Sequence, residues 1–296
     1  MGRAEIAVRE PFVSVGVRLG QFWLGVLKLS RKSSFVPKVG FVVFVVLLLS
    51  GILAPLLPID NPLTQSLKLT MAGPSATHWL GTDQVGRDVL SRIIYGSSSA
   101  FEGVGIGVVV MLVLGIPWGL AAGFSGKVVD EILMRITDAL MSFPALLLAI
   151  GVVSVLGPSM IHSMAAIGVV SAPGIARLLR AEILPMRNSQ FVQVASSLGV
   201  SRFRIAFRHI LPNAMAPVIV QTFAVASYFL IVEAALGFLG LGVPPPSASW
   251  GQDLANAYTL FASNPLATVA PGIAITLGAW SISATGDGIR EVFVDD

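Results

Sequence analysis

Apolar positions along this chain run in long blocks instead of alternating. No charged residue occurs from Val39 to Leu57, and none from Gly103 to Gly126. Between Asp138 and Arg177 there is no Asp, Glu, Lys or Arg, a stretch too long for one helix and suited to two, broken at Leu156-Gly157-Pro158-Ser159. Two further blocks, roughly Ala214–Phe238 and Leu266–Ala284, flank a loop containing Pro244-Pro245-Pro246 and Trp250. About 20 apolar residues cross a hydrocarbon core ~30 Å thick, so the pattern predicts an all-α, polytopic membrane protein with six transmembrane helices. Membrane-spanning strands would alternate apolar and polar residues, and these blocks do not. Within the second block Gly103/Gly107 and Gly115/Gly119/Gly123 repeat a small-xxx-small spacing that permits close helix approach, and Pro117 predicts a kink.

Composition agrees with the blocks. The 296 residues are 54% hydrophobic and 12% charged, against about 25% charged in soluble domains, and mean hydropathy is +0.82. The absence of cysteine excludes disulfides, thiolate zinc sites and thiol catalysis.

Charge adds orientation. The net charge is only +3, but its distribution is uneven. Residues 1–38 hold seven Lys and Arg against Glu5 and Glu10. Apolar residues interspersed from Phe12 to Leu29 fit either an interfacial amphipathic helix or a disordered cytoplasmic tail. Segment 177–212 carries six arginines against Glu182 alone, whereas loop 59–98 is nearly balanced and loop 239–265 has only Asp253. Basic residues near spans mark the cytoplasmic side, so both termini and the 177–212 loop are expected in the cytoplasm, with loops 59–98 and 239–265 outside. The transmembrane domain is then 39–296, preceded by the basic segment 1–38. Six arginines in lipid would each cost roughly 2.5–3.5 kcal/mol, which keeps 177–212 out of the bilayer.

Inside that loop, Phe191, Val194, Ala195 and Leu198 share one helical face, Gly199 interrupts the turn, and Val200, Phe203, Phe207 and Leu211 form a second stripe with Ile205 off-register. Pro212 ends this helix or begins the next span. A helix–Gly–helix with apolar ridges fits docking into a groove on a cytoplasmic partner. It equally fits packing on its own bundle with arginines against anionic lipid.

Three motifs carry a resemblance. Gly199, followed after nine residues by His209-Ile210-Leu211-Pro212, resembles the EAA loop of binding-protein-dependent ABC importer permeases. Gly81-Thr82-Asp83-Gln84-Val85-Gly86-Arg87-Asp88 with Ser91-Arg92 resembles the external loop of one permease of dipeptide, oligopeptide and nickel importers. Gly237-Phe238-Leu239-Gly240-Leu241-Gly242, Pro245-Pro246 and Ser249-Trp250-Gly251 resemble the same subunit, as does Arg208 through Asn213. Over roughly residues 39–290 the chain is thus similar to that family and to its type I importer fold. Two departures stand out. Gln193-Val194-Ala195 takes the place of Glu-Ala-Ala, with Ser196 where a basic residue is usual, and Val292–Asp296 departs from the family's ending.

The resemblance implies an ATP-driven importer of di- or oligopeptides, with nickel or another small solute as alternatives. Its implied partners are a second homologous permease, two ATPase subunits that bind ATP and Mg, an extracytoplasmic substrate-binding protein, the peptide substrate and the lipid bilayer, with no nucleic acid. It implies that Gln193, Val194, Ala195, Leu198, Gly199, Phe203, Phe207, Arg208, His209, Leu211 and Pro212 form the coupling surface for an ATPase subunit. No nucleotide site is expected in this chain. Gly126-Lys127 is the nearest approach to a phosphate loop, but Ala121 replaces its first glycine and Val128 its Ser/Thr.

Other candidates are weighed singly. Thr82, Asp83, Arg87, Asp88 and Trp250 contact a docked binding protein or gate the entrance, unless Arg87 and the aspartates simply satisfy one another. Glu233 lies within the fifth span, where acids face a cavity or a partner; a pathway or inter-subunit role competes with a position near the helix end. Arg135 and Asp138 can pair at i,i+3. Gly123-Phe124-Ser125-Gly126 matches an intramembrane serine protease motif, which needs a histidine base within hydrogen-bond reach. His78, His162 and His209 show no metal-ligand spacing. A self-sufficient secondary transporter would show midplane ionisable groups and an inverted repeat; of these only Glu233 is evident.

Overall fold

The computed structural model describes residues 34–293, so the interfacial or disordered character expected for the basic N-terminal segment, and the departure at Val292–Asp296, lie almost wholly outside the described residues. Ten α-helices, with short 3-10 and π turns, account for the described chain: α1 (Phe35–Leu53), α2 (Val89–Phe124), α3 (Lys127–Met141), α4 (Ala145–Leu156), α5 (Met160–Arg187), α6 (Gln190–Ser197), α7 (Arg202–Ile205), α8 (Leu211–Phe238), α9 (Trp250–Ala257) and α10 (Pro265–Phe293). Only an isolated bridge, Thr82 with Asp88, has β character among the described residues.

Five helical stretches are long and apolar enough to cross a membrane, the fourth running without interruption from Arg202 through a π turn to Phe238. α3 and α4, bent by 82° at a short break, make a sixth if the pair is taken as one span. The charge-free run after Asp138 is thus divided once more, ahead of the break expected at Leu156-Gly157-Pro158-Ser159. Pro144 caps α4, and a proline disfavours helical geometry in the residue before it. The apolar run therefore breaks at Ser142-Phe143-Pro144, leaving α4 with 12 residues, about 18 Å at 1.5 Å each.

The centre of the bundle is the pair α2 and α5, which make the most extensive helix contact and run in the same direction. A Cβ added at Gly119 would lie 2.7 Å from the Ala176 carbonyl oxygen, and one at Gly115 2.8 Å from that of Ala172. At Gly123 it would meet the Ile183 side chain at 2.8 Å. The small-residue spacing thus serves one seam, in which backbone lies on backbone. Farther along, α8 closes over the same seam with Phe229, whose ring sits 2.8 Å from the Cβ position of Gly107. Val42, Val46, Leu49 and Ile52 of α1 remain exposed on the outward face that a bilayer solvates.

α5 has 28 residues, about 42 Å at 1.5 Å each, and so overshoots a ~30 Å core. Its last turns carry Arg177, Arg180 and Arg187, which were expected in a loop. Arg180 pairs with Asp130 and Arg177 with Asp138, both on α3. Asp138 is therefore engaged with α5 and not with Arg135 as the i,i+3 spacing suggested. These two bridges pin the bent pair to the bundle at its basic end.

Replacing Gly119 by Val should destabilise the detergent-solubilised protein by about 1–3 kcal/mol through overpacking, read as a drop in thermal midpoint. Gly105, which has nothing within 4 Å of its Cβ position, is the control at which Val should leave the midpoint unchanged.

Candidate functional site

Two sites sit at opposite ends of the bundle. At the basic end, α6 finishes in two hydrogen bonds that define a Schellman turn: Val200 N donates to Ala195 O at 3.1 Å and Gly199 N to Ser196 O at 3.0 Å. Gly199 takes φ +79°, a left-handed conformation that costs L side chains free energy. Ser201 then caps α7 by accepting from Arg204 N. From Arg202 the helix passes through the π turn Ala206–Ile210 straight into α8. Of the two readings for Pro212, the structure has the one in which it opens the span.

The apolar ridges divide. Ala195 and Ile205 are buried against the bundle, so the residue read as off-register is the anchor of the second half. Val200 and Leu211 also lean on the core. Val194, Leu198, Phe203 and Phe207 remain exposed, with the two phenylalanine rings 4.3 Å apart. Gln193 and Arg208 are exposed, and the His209 ring lies edge-on to Phe191 at 5.3 Å. The element thus presents apolar side chains outward from a base locked on the membrane helices.

At the other end, loop 59–88 and α9 build a compact lobe around Arg92. This guanidinium is 3% exposed. It donates through Nε and Nη2 to Asp253 Oδ1, at 2.8 and 2.6 Å, and to the carbonyls of Pro62 (3.1 Å), Pro246 (3.3 Å) and Ser247 (3.1 Å). Burial pushes the Asp253 carboxyl above the usual carboxylate range, and the Arg92 charge draws it back. Asp83 accepts from the backbone of Val85 and Arg87 and from Arg87 Nε at 2.6 Å. Asp88 caps α2 by accepting from Ser91 N at 2.7 Å. Asn264 bridges the carbonyls of Ala72 and Thr82. Thr82 and Trp250 are fully buried; the indole donates to Ile93 O and fills the space beside Gly96. These two candidates build the lobe from within, while Arg87 pairs with Asp83 and Asp88 with His78 and the start of α2.

His78 is less isolated than its sequence position suggested. Its Nδ1 lies 3.0 Å from Asp88 Oδ1 and 3.7 Å from Asp60 Oδ2, three groups whose potential ligand atoms fall within 4.8 Å of one another. Asp88 is already engaged as helix cap and histidine partner.

Glu233 is 2% exposed, enclosed by its own chain near Gly103 of α2 and Met160 and Met164 of α5. Neither carboxyl oxygen has a hydrogen-bond partner among the described residues. The protease reading fails on distance. Ser125 O accepts from Arg187 at the basic end, whereas His162 stands 25 residues earlier on α5 (187 − 162), about 37 Å away at 1.5 Å per residue.

Residues 115–295 match the family described as binding-protein-dependent transport system inner membrane component. The chain belongs to this family. Among its relatives are the dipeptide transport system permease protein DppC of Alkalihalophilus pseudofirmus, 37% identical over 86% of this chain and 83% of that protein, and the probable D,D-dipeptide transport system permease protein DdpC of Escherichia coli, 37% identical over 85% and 84%. The glutathione transport system permease protein GsiD of Pectobacterium atrosepticum is 37% identical over 74% of this chain and 73% of its own length. In fold the chain resembles a subunit of the MetNI methionine ABC transporter in its inward-facing conformation, with TM-score 0.56, 16% identity and coverage of 68% of this chain and 96% of that one. This family member is therefore a multi-pass inner-membrane transport permease with the ABC importer permease fold.

Arg92→Ala should strand Asp253 and destabilise the lobe by about 3–5 kcal/mol, exposing segment 59–88 to limited proteolysis. Pairing it with Asp253→Leu should recover part of the protection, because the unpaired buried charge is then gone.

Proposed function

We propose that this permease imports di- or oligopeptides with the basic end of the bundle in the cytoplasm and the Arg92 lobe outside. The carrying observation is the exposed apolar crest Val194, Leu198, Phe203 and Phe207 on a base continuous with a membrane span. The relatives named for dipeptide transport support the cargo. Family membership leaves the autonomous secondary transporter without support.

In this reading the α6 end of the crest, Val194 and Leu198, sits in a groove of an ATPase subunit, while Phe203 and Phe207 behind it face α2; ATP and Mg are bound by that partner. A second homologous permease and a second ATPase subunit complete the translocator, and a binding protein delivers peptide to the outer lobe, with Asp83 and Arg87 at its turn. Closure of the ATPase pair pushes the crest. Because α7, the π turn and α8 are one helix, the push arrives in the span as a tilt instead of being absorbed in a loop, the kind of rigid-element transition that switches a two-state bundle. Gly199 sets the angle at which α6 meets that lever. With glutamine at 193, docking relies on apolar shape rather than on a carboxylate.

Glu233 belongs to the same cycle. A buried ionisable group without a partner costs several kcal/mol if charged. It therefore stays uncharged while enclosed, and gains a partner only if α2, α5 and α8 part in the cycle.

Gly199→Asp should insert and assemble normally yet lose coupling: left-handed strain of about 1.4 kcal/mol corresponds to an uptake deficit of ~tenfold at unchanged ATP hydrolysis. Coupled transport at the normal rate would refute the lever. Glu233→Gln should lower peptide uptake with the protein level unaltered, and full activity would remove Glu233 from the cycle. Uptake of labelled dipeptide against nickel ion, in cells lacking this subunit and complemented with it, tests the cargo.

A further inference from the structure

The Gly126-Lys127 step, which lacks the residues of a nucleotide loop, lines a cavity of about 540 Å³ between the α2–α3 corner and α6. Three cations, Lys127, Arg187 and Arg202, converge on it together with Gln193 and the hydroxyl-bearing Ser196 and Ser197, and no carboxylate lines it. Asp130, the acid nearest along the chain, is taken by Arg180. None of the three cations forms an ion pair among the described residues. Arg187 is held in place by donating to the carbonyls of Gly123 (2.9 Å) and Ser125 (3.2 Å), so its charge is fixed at the wall.

A second cavity, of about 450 Å³, adjoins the first, sharing Phe124 and Arg202. Its character is the opposite. Ile116, Leu120 and Ala121 of α2 face Phe203 and Phe207 across it, and Arg202 is the only charged residue in its wall. The two form one cleft, cationic and hydroxyl-lined at one end and apolar along the length of a membrane helix at the other. A free phosphate would satisfy only the first part and an apolar peptide only the second.

We propose that this cleft binds an anionic phospholipid, its phosphate among Lys127, Arg187 and Arg202 and an acyl chain along Ile116–Ala121. Each surface Lys or Arg contributes about fivefold to attraction of an anionic headgroup, and basic pockets between spans at the basic end are where such headgroups lodge. Each buried methylene of the acyl chain adds to this. The lipid would thus bridge α2, on the central seam, to the crest-bearing α6 and α7, which goes beyond the transport reading.

The test uses the assembled importer in nanodiscs of phosphatidylglycerol or phosphatidylcholine, with lipid retained after detergent extraction counted by native mass spectrometry. Wild type should keep phosphatidylglycerol selectively. Lys127→Gln with Arg202→Gln should weaken retention by roughly twentyfold to thirtyfold, and Ala121→Trp, which fills the groove without changing charge, should weaken it as well. Should the variants fail to assemble, the wild-type comparison decides alone, with thermal stabilisation by phosphatidylglycerol expected to exceed that by inorganic phosphate. Equal retention of both lipids, equal stabilisation by phosphate, undiminished retention in both variants, or efficient cross-linking of Ala121→Cys to another subunit would each overturn the proposal.

Discussion

Among helices immersed in hydrocarbon there is little hydrophobic gain in bringing two together, since lipid tails are as apolar as leucine. Association must come from surface fit, and the glycines of α2 supply it by letting its backbone rest on that of α5. The other helices are arranged around this seam: α8 closes it with Phe229, and α10 and α1 lie outside. At its basic end the same pair fixes the corner where α3 departs and where Arg187 reaches back to Gly123 and Ser125.

From that fixed frame the structure hangs one stiff lever and one stiff cap. The lever is the 37-residue helix from Arg202 to Phe238. Its apolar side chains divide between a buried foot, Ile205, and an exposed crest, Phe203 and Phe207. A π turn lies where the lever enters the bundle, a place at which such turns are often functional. The cap is the lobe gathered on Arg92, joining the start of α2 to α9 and so to the connection between α8 and α10.

Much of this was legible from residue order, because membrane insertion writes long-range structure into local composition. Charge-free blocks located five of the spans, arginines marked one end, and the glycine spacing of α2 predicted a close seam without naming its partner. The misreadings share a cause. Pro144 broke a run that looked uniform by charge, and the stiff continuation of α5 and of α8 beyond the apolar blocks could not be seen when span and loop were separated by composition. Ile205 looked out of phase because it lies on the opposite face from Phe203, the one that packs on the bundle. Arg92 with Asp253, and His78 with Asp60 and Asp88, were invisible because their partners come from different segments. Glu233 was visible as an oddity, though not its enclosure.

The Arg92 knot also bears on how the protein is made. Its contacts come from Pro62, Pro246, Ser247 and Asp253, the last of them 161 residues later in the chain. At roughly 5–20 residues per second, a nascent chain would hold this guanidinium without its carboxylate for on the order of ten to thirty seconds, while the intervening spans enter the bilayer. The cap therefore closes only when α9 has arrived in register, with α10 still to follow. A chain truncated before Asp253 would keep the α2–α5 seam and lose both the lid and α10, so closure of the lobe reports that synthesis has passed the fifth span.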